Sequence, residues 1–166
     1  MLKKRELTSF CLNPFEFFGN GGVAIAKKKD GTLNPLTVGW GTIGKLWSKN
    51  VIILFIRDSR FSHEFFLNGD VFSFSSLEEG HQKDLSYLGS VSGRNEDKLN
   101  HVALTLMDDD GIPYILESKV VILARKLKSG ELTSSEILDE SIKEKYYPNL
   151  DEFHSYFIGE IVSILS

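Results

Sequence analysis

Short apolar runs recur along the first third of the chain, and their pattern is typical of β-strands. Residues 22–26 are apolar and extended, Asp30-Gly31 is typical of a tight turn, and residues 33–40 form a second extended run. Together they predict a hairpin. Residues 51–56 are a continuous, mostly β-branched run, the pattern of a strand buried on both faces.

The rest of the chain continues in the same way, with short helical patterns between the strands. Residues 71–75 alternate, which places Phe72 and Phe74 on one face of a strand. Further strands are predicted at residues 112–117, 120–124 and 154–165. In the last of these, one face is predicted to carry His154, Tyr156, Ile158, Glu160, Val162 and Ile164. Helical patterns cover residues 62–67, 81–88 and 134–145, with Ser62, Ser135 and Asp139 as caps and Gly69 as a helix end.

The number and spacing of these elements predict one domain, residues 1–166, of mainly β structure. About six or seven strands stand against three short helices, and a full helical pattern rarely separates two strands. This pattern disfavours a doubly wound parallel sheet. An antiparallel barrel that is closed or nearly closed, with small helices at its ends, fits the pattern best.

Composition and charge exclude several classes of protein. The formal net charge is −4 and the basic residues are spread along the chain, which argues against a nucleic-acid partner. The single cysteine, Cys11, excludes an internal disulfide and a zinc site built from thiolates. His63, His81 and His101 lack metal-ligand spacing and no cluster of metal ligands is present, so no metal is predicted. No apolar run approaches the ~20 residues that span a bilayer, and the first residues lack a signal-peptide pattern. We therefore expect no membrane association and a cytoplasmic location.

Glycines interrupt an extended segment at residues 34–44. Gly39, Gly41 and Gly44 weaken a strand unless something must approach its backbone closely. A flat aromatic ligand is one such reason, and a bulged or sharply bent barrel strand is the other.

Two further segments carry polar groups suited to ligand binding. Residues 57–62 combine two arginines with two serines before a predicted helix start, which predicts either a phosphate site or surface pairing of these arginines with Asp58 or Glu64. Residues 89–98 are rich in glycine and serine, which fits either a loop around a polar ligand or a helix end followed by a newly capped helix. His154, at the head of the last strand, either faces a redox substrate, donates to a ring carbonyl, or makes only structural hydrogen bonds.

Taken together, these segments resemble the flavin reductase-like family, the FMN-binding split-barrel proteins that include flavoredoxins. The resemblance extends from about residue 15 to residue 165. It rests on four stretches in order: NPLTVGWGT at residues 34–42, IRDSRFS at 56–62, LGSVSGR at 88–94 with Asp97-Lys98 following, and HSYFIGEIV at 154–162.

The resemblance implies a split antiparallel β-barrel of Greek-key type that forms a homodimer with FMN near the interface. The flavin ring would be bound by Asn34, Thr37, Val38, Gly39, Trp40, Gly41 and Thr42, largely through backbone groups. The phosphate would be held by Arg57, Ser59, Arg60 and Ser62. Ser90 and Ser92 would close over the ribityl and phosphate end, and His154 would lie near the flavin or nicotinamide face as the catalytic residue.

The chain departs from the family pattern at a few positions. Leu36 stands where methionine is common, Phe61 and Ser62 replace tyrosine and threonine, Asn50 replaces proline, and Ala124 stands where a cysteine is common.

The family's activity implies three functions for this chain. In the first, NADH or NADPH transfers a hydride to bound FMN, and the electrons leave to a small-molecule or protein acceptor. No G-x-G-x-x-G motif is present, so the nicotinamide would bind transiently over the flavin. In the second, the protein is an FMN-containing electron carrier. In the third, it binds flavin without turnover.

Overall fold

In the computed structural model of the protein, residues 2–148 and 153–166 are described. The strands in these residues are β1 (Lys4–Arg5), β2 (Gly22–Lys28), β3 (Leu36–Val38), β4 (Gly41–Leu46), β5 (Lys49–Arg57), β6 (Gly69–Leu77), β7 (Leu106–Asp109), β8 (Ile112–Ile115), β9 (Ser118–Leu132) and β10 (His154–Leu165). The α-helices are α1 (Pro14–Gly19), α2 (His63–Asn68), α3 (Gln82–Ser90) and α4 (Glu140–Tyr146). Two 3₁₀ turns lie at Lys98–His101 and Ser134–Glu136.

One large antiparallel sheet organises the molecule. Its strand order is β3-β2-β6-β9-β10-β5-β4, β1 adds to β10, and β7 and β8 form a separate hairpin. The two end strands, β3 and β4, are consecutive in the chain and are joined by Gly39 and Trp40. The sheet therefore curls until its edges meet at this link, where the Phe55 amide donates to the Trp40 carbonyl (3.1 Å). No strand pairing joins β3 to β4 among the described residues, so the barrel is split there. The predicted mainly β, antiparallel fold is confirmed, and the barrel is not closed.

Aromatic and branched side chains from both halves of the sheet fill the barrel. Phe72 and Phe74 of β6 are buried, as their alternation predicts. The α1 phenylalanines close one end, since Phe17 and Phe18 each lie with their ring centroids 5.0 Å from that of Phe74. Burying large rings in this way supplies much of the hydrophobic stabilisation of a barrel.

Most predicted elements are observed, but strand β9 is longer than predicted and several observed elements were not predicted. The hairpin of β2 and β3 pairs Val23 with Thr37, and Gly31 takes a positive φ of 87° in its turn. Strand β9 extends beyond the predicted 120–124 to Leu132, because its second half pairs only with β10 and carries exposed polar residues that hide the strand pattern. Strands β1, β4 and β7 and helix α1 were not predicted as separate elements.

Two predictions about local geometry are wrong. Residues 134–145 do not form one helix: a 3₁₀ turn precedes α4, and Asp139 caps α4 by accepting from the Ser141 amide (2.9 Å), whereas Ser135 is not a cap. In β10, the register slips between Ile161 and Ser163, which leaves Val162 as the extra residue of a bulge. The bulge turns Ile164 into the core beside Phe157 and Ile161, away from the face predicted for it.

The described helices are all too short and too polar to span a membrane.

Candidate functional site

Two adjoining cavities lie beside the split in the barrel. The larger, about 420 Å³, is lined by Leu36, Thr37, Val38, Gly39, Trp40, Phe55, Ile56, Arg57, Ser59, Arg60 and His154. The smaller, about 150 Å³, is lined by Asn34, Leu36, Ser59, Arg60, Phe61, Ser62, Ser90, Val91, Ser92, Gly93, Arg94 and Lys98. They share Leu36, Ser59 and Arg60 and so form one cleft, within the size range of small-molecule sites.

The end strand of the sheet lines one side of the larger cavity. Strand β3 has β2 as its one sheet neighbour among the described strands, so its outer backbone edge lies beside the cavity. At Gly39, an added Cβ would meet no protein atom closer than the Phe18 carbonyl oxygen at 3.9 Å. Packing within the protein therefore does not require a glycine at this position, which lines the cavity.

Gly41 is different, although the sequence placed it in the same ligand-binding group. A Cβ at Gly41 would collide with the Phe18 ring and approach the Ile53 carbonyl oxygen to 2.9 Å. Gly41 and Thr42 belong to β4, opposite Leu54 and Ile53 of β5, and line neither cavity. The glycine at 41 is explained by the packing of α1 against β4.

Two of the residues that line the larger cavity, Trp40 and His154, belong to an aromatic group. The Trp40 and His154 rings stack with centroids 4.6 Å apart, and the Tyr146 ring meets Trp40 edge-on at 5.1 Å. The His154 Nδ1 atom lies 2.8 Å from the Tyr147 hydroxyl. Burial raises the pKa of Tyr147, and the nearby Arg57 charge opposes this rise. The histidine ring is thus held in place on two sides.

The other end of the cleft is cationic. Arg60 and Lys98 donate to the consecutive carbonyls of Gly89 and Leu88, at the C-terminal end of α3 where a helix favours positive charge. Arg94 lies over the Phe61 ring, 5.1 Å from its centroid.

Lys98 is the most deeply buried of these cations. Lys98 is 3% exposed, and its Nζ donates to the Leu88 carbonyl oxygen at 3.1 Å. Burial, with repulsion from Arg60, lowers the pKa of Lys98 to about 8.

No aspartate or glutamate of the described residues lines either cavity. Like charges gathered in a partly buried cleft without a carboxylate repel one another, and an anion would relieve that repulsion. This end of the cleft is therefore suited by its charge to an anionic group.

Side chains from separate elements fix the loops around the smaller cavity. Asn34 donates from Nδ2 to the Ser62 hydroxyl (2.5 Å), and its Oδ1 occupies the space that a Cβ at Gly93 would need. Ser62 precedes α2 as predicted, but its hydroxyl makes no capping bond to the helix. Ser90 donates to the Ser86 carbonyl (2.9 Å). The Asn34–Ser62 bond joins the segment before β3 to the start of α2, and Asn34 packs against Gly93 in the loop after α3, whereas the Ser90 bond lies within α3.

Apart from Gly41 and Thr42, the structure brings all the predicted site residues to this one cleft. The sequence did not assign a role to Lys98, Arg94, Phe55 or Tyr147. In the sequence, Lys98 stood out only as part of a family motif. Its burial results from the packing of the 3₁₀ turn at Lys98–His101 against α3, where its Nζ donates to the Leu88 carbonyl. Tyr147 follows a charged helix and carries no pattern that would separate it from a surface residue.

No family model and no curated protein matches the chain, but solved structures do. Flavoredoxin from Methanosarcina acetivorans matches with a TM-score of 0.68 and 18% identity, over 98% of this chain and 74% of its own. An FMN-binding domain of a flavin reductases-like enzyme from Shewanella baltica gives 0.70 and 12%, over 100% and 77%. An NADH:FAD oxidoreductase from Streptomyces globisporus, in complex with NAD and FAD fragments, gives 0.64 and 17%, over 87% and 72%. The chain has the fold of the flavoredoxin and flavin reductase-like proteins, as the resemblance implies.

Proposed function

We propose that the protein binds FMN in this cleft and is a flavin-dependent oxidoreductase. The observation that carries the proposal is the division of the cleft. The β3 edge, aromatic rings and Arg57 line the larger cavity, whereas Arg60, Arg94 and Lys98 gather in the smaller one, with no carboxylate among the described lining residues. FMN has the same division, because it joins a planar ring system to a phosphate. Solved proteins with this fold include FMN-binding ones, which supports the choice of flavin.

The residues present fit the two parts of FMN. A phosphate monoester carries close to two negative charges at neutral pH, and guanidinium groups bind such groups through short, charge-assisted hydrogen bonds. Arg60 and Lys98 supply cations at the smaller cavity, and Ser59 adds a hydroxyl. Arg57 lines the larger cavity, where its guanidinium donates to the Tyr146 carbonyl (3.2 Å) and adds a third positive charge to the cleft. The space beside Gly39 lets a planar ring approach the strand edge.

When bound, FMN would supply the redox chemistry, as a hydride acceptor and electron donor. The chain's own residues would orient the ring and shield it from water. The stacked Trp40 and His154 rings and the residues 36–39 line the cavity together. Backbone N–H groups at this edge would stabilise negative charge on a ligand ring.

We further propose NADH or NADPH as the electron donor and a homodimer as the working form. The donor is supported by the neighbour of the same fold that is an NADH:FAD oxidoreductase. The homodimer and the cytoplasmic location come from the sequence and remain predictions, as does the nature of the electron acceptor.

Anaerobic reduction tests this function. The FMN-loaded protein is mixed with NADH and separately with NADPH, and the visible flavin absorption is followed. Prompt bleaching by one of them is the expected result and identifies the donor. Bleaching by dithionite but not by either nicotinamide would contradict the reductase and favour the electron carrier.

The buried lysine predicts a pH dependence of FMN affinity. Lys98 has a pKa of about 8 in the protein, so it is charged at pH 7 and largely neutral at pH 9, whereas the phosphate charge is constant over this range. FMN affinity should therefore fall as pH rises from 7 to 9, by up to about tenfold. Riboflavin, which lacks the phosphate, should show no such fall.

The variant Lys98→Met removes the titrating group and retains an apolar chain of similar length. Its FMN affinity should be lower at pH 7 and flat between pH 7 and 9, as measured by fluorescence titration. An unchanged slope in this variant would exclude Lys98 from the phosphate site.

A further inference from the structure

The contact between Tyr147 and His154 is a buried hydrogen bond beside the larger cavity. Tyr147 is 2% exposed and His154 is 7% exposed, and 2.8 Å separates the hydroxyl from Nδ1. The two rings meet edge to face at 86°, with their centroids 5.5 Å apart. The imidazole also stacks on Trp40, so both its plane and its Nδ1 edge are fixed by neighbouring side chains.

The direction of this hydrogen bond follows from the position of the tyrosine proton. Burial raises the pKa of Tyr147, so the hydroxyl keeps its proton at neutral pH. Among residues 2–148 and 153–166, the hydrogen bonds offer this hydroxyl no acceptor other than the His154 Nδ1 atom. A proton on Nδ1 would leave the buried tyrosine proton without an acceptor, which is costly inside a protein.

We infer that Tyr147 is a positioning residue: by donating to Nδ1, it keeps His154 in the neutral tautomer that carries its proton on Nε2. Neutral imidazole has one donor and one acceptor nitrogen, so fixing Nδ1 as the acceptor fixes Nε2 as the donor. Any hydrogen bond between this ring and a ligand in the cavity then uses Nε2–H. His154 would meet an acceptor atom of the ligand, such as a ring or amide carbonyl oxygen, and would not accept a proton at Nε2.

The use of this donor in flavin chemistry rests on the proposed function, but the tautomer itself does not. It is measured on flavin-free protein by two-bond ¹H–¹⁵N correlation spectra of ¹⁵N-histidine-labelled samples near pH 7. The chain has four histidines, and the His154 signals are identified by their loss in His154→Gln. The expected wild-type spectrum has a pyridine-type Nδ1 and a pyrrole-type Nε2.

Two neighbouring tyrosines provide the variant and its matched control. Tyr147→Phe should move both His154 nitrogen shifts toward the average of the two tautomers, because the bond that favours one is lost. Tyr146→Phe should leave them unchanged, since the Tyr146 ring contacts Trp40 and no hydrogen bond links its hydroxyl to His154 among the described residues.

A pyrrole-type Nδ1 in the wild type would overturn the inference, even if the Tyr147→Phe protein did not fold. Unchanged His154 shifts in a folded Tyr147→Phe protein would overturn it as well. Failure of the protein to bind FMN would contradict the proposed function and leave these spectra unaffected.

Discussion

Replacing Arg57 or Arg60 by alanine should weaken FMN binding by about 10- to 100-fold each, with little effect on riboflavin binding. Charge-assisted hydrogen bonds contribute about 1.5–3 kcal/mol each, and about 1.4 kcal/mol corresponds to a factor of ten. Riboflavin differs from FMN by the phosphate alone, so the ratio of the two affinities isolates the phosphate contacts. Both affinities are measured by quenching of flavin fluorescence at constant ionic strength.

Arg125→Ala is the matched control for this loss of charge. Arg125 lies on β9, where it is mostly exposed and pairs with Glu160 at 3.7 Å, and it lines neither cavity. Such a surface pair contributes little to stability, so the variant should fold normally. Because Arg125 lines neither cavity, the FMN affinity of this variant should match that of the wild type. Equal losses of FMN and riboflavin affinity in the Arg57 and Arg60 variants would remove both arginines from the phosphate site.

A second large effect is expected at two glycines that stand only two positions apart. Gly39→Ala should weaken FMN and riboflavin alike, by about tenfold or more, since the added methyl group would meet the flavin ring that both ligands share. The same variant should fold with a stability within about 0.5 kcal/mol of the wild type, because its Cβ meets no protein atom closer than 3.9 Å.

Gly41→Ala should show the opposite pattern. Its Cβ would collide with the Phe18 ring, so the free energy of unfolding should fall by about 1–3 kcal/mol. The affinity for flavin, measured below the unfolding transition, should change much less than in Gly39→Ala. Denaturant unfolding and flavin titration of both variants check the contrast. A Gly39→Ala protein with unchanged affinity for both flavins would show that no ring lies against residue 39.

Much of the fold could be predicted because its signals are local. The alternation of Phe72 and Phe74, the Asp30-Gly31 turn and the apolar run at residues 51–56 each indicate a strand or a turn without reference to the rest of the chain. The errors lie where tertiary contacts decide. The bulge at Val162 depends on pairing between β10 and β9, and the length of β9 depends on a partner strand that its own polar second half does not reveal.

The candidate site divides in the same way. The glycine-containing segment and the arginine-serine segment could be recognised because their residue types are unusual for a strand and a helix start. The sequence could not separate Gly39 from Gly41, since only the packing of Phe18 distinguishes them. Nor could it show that Lys98 is buried beside Arg60 or that Tyr147 reaches His154, because these contacts join residues from different elements.

The central claim, that the cleft binds FMN through its cationic end, is tested most directly by titrating the flavin-free wild-type protein with FMN and with riboflavin. We expect FMN to bind at one site per chain and at least about 100-fold more tightly than riboflavin, as two charge-assisted contacts to the phosphate would give. A protein that binds neither flavin, or that binds both equally well, would contradict the claim.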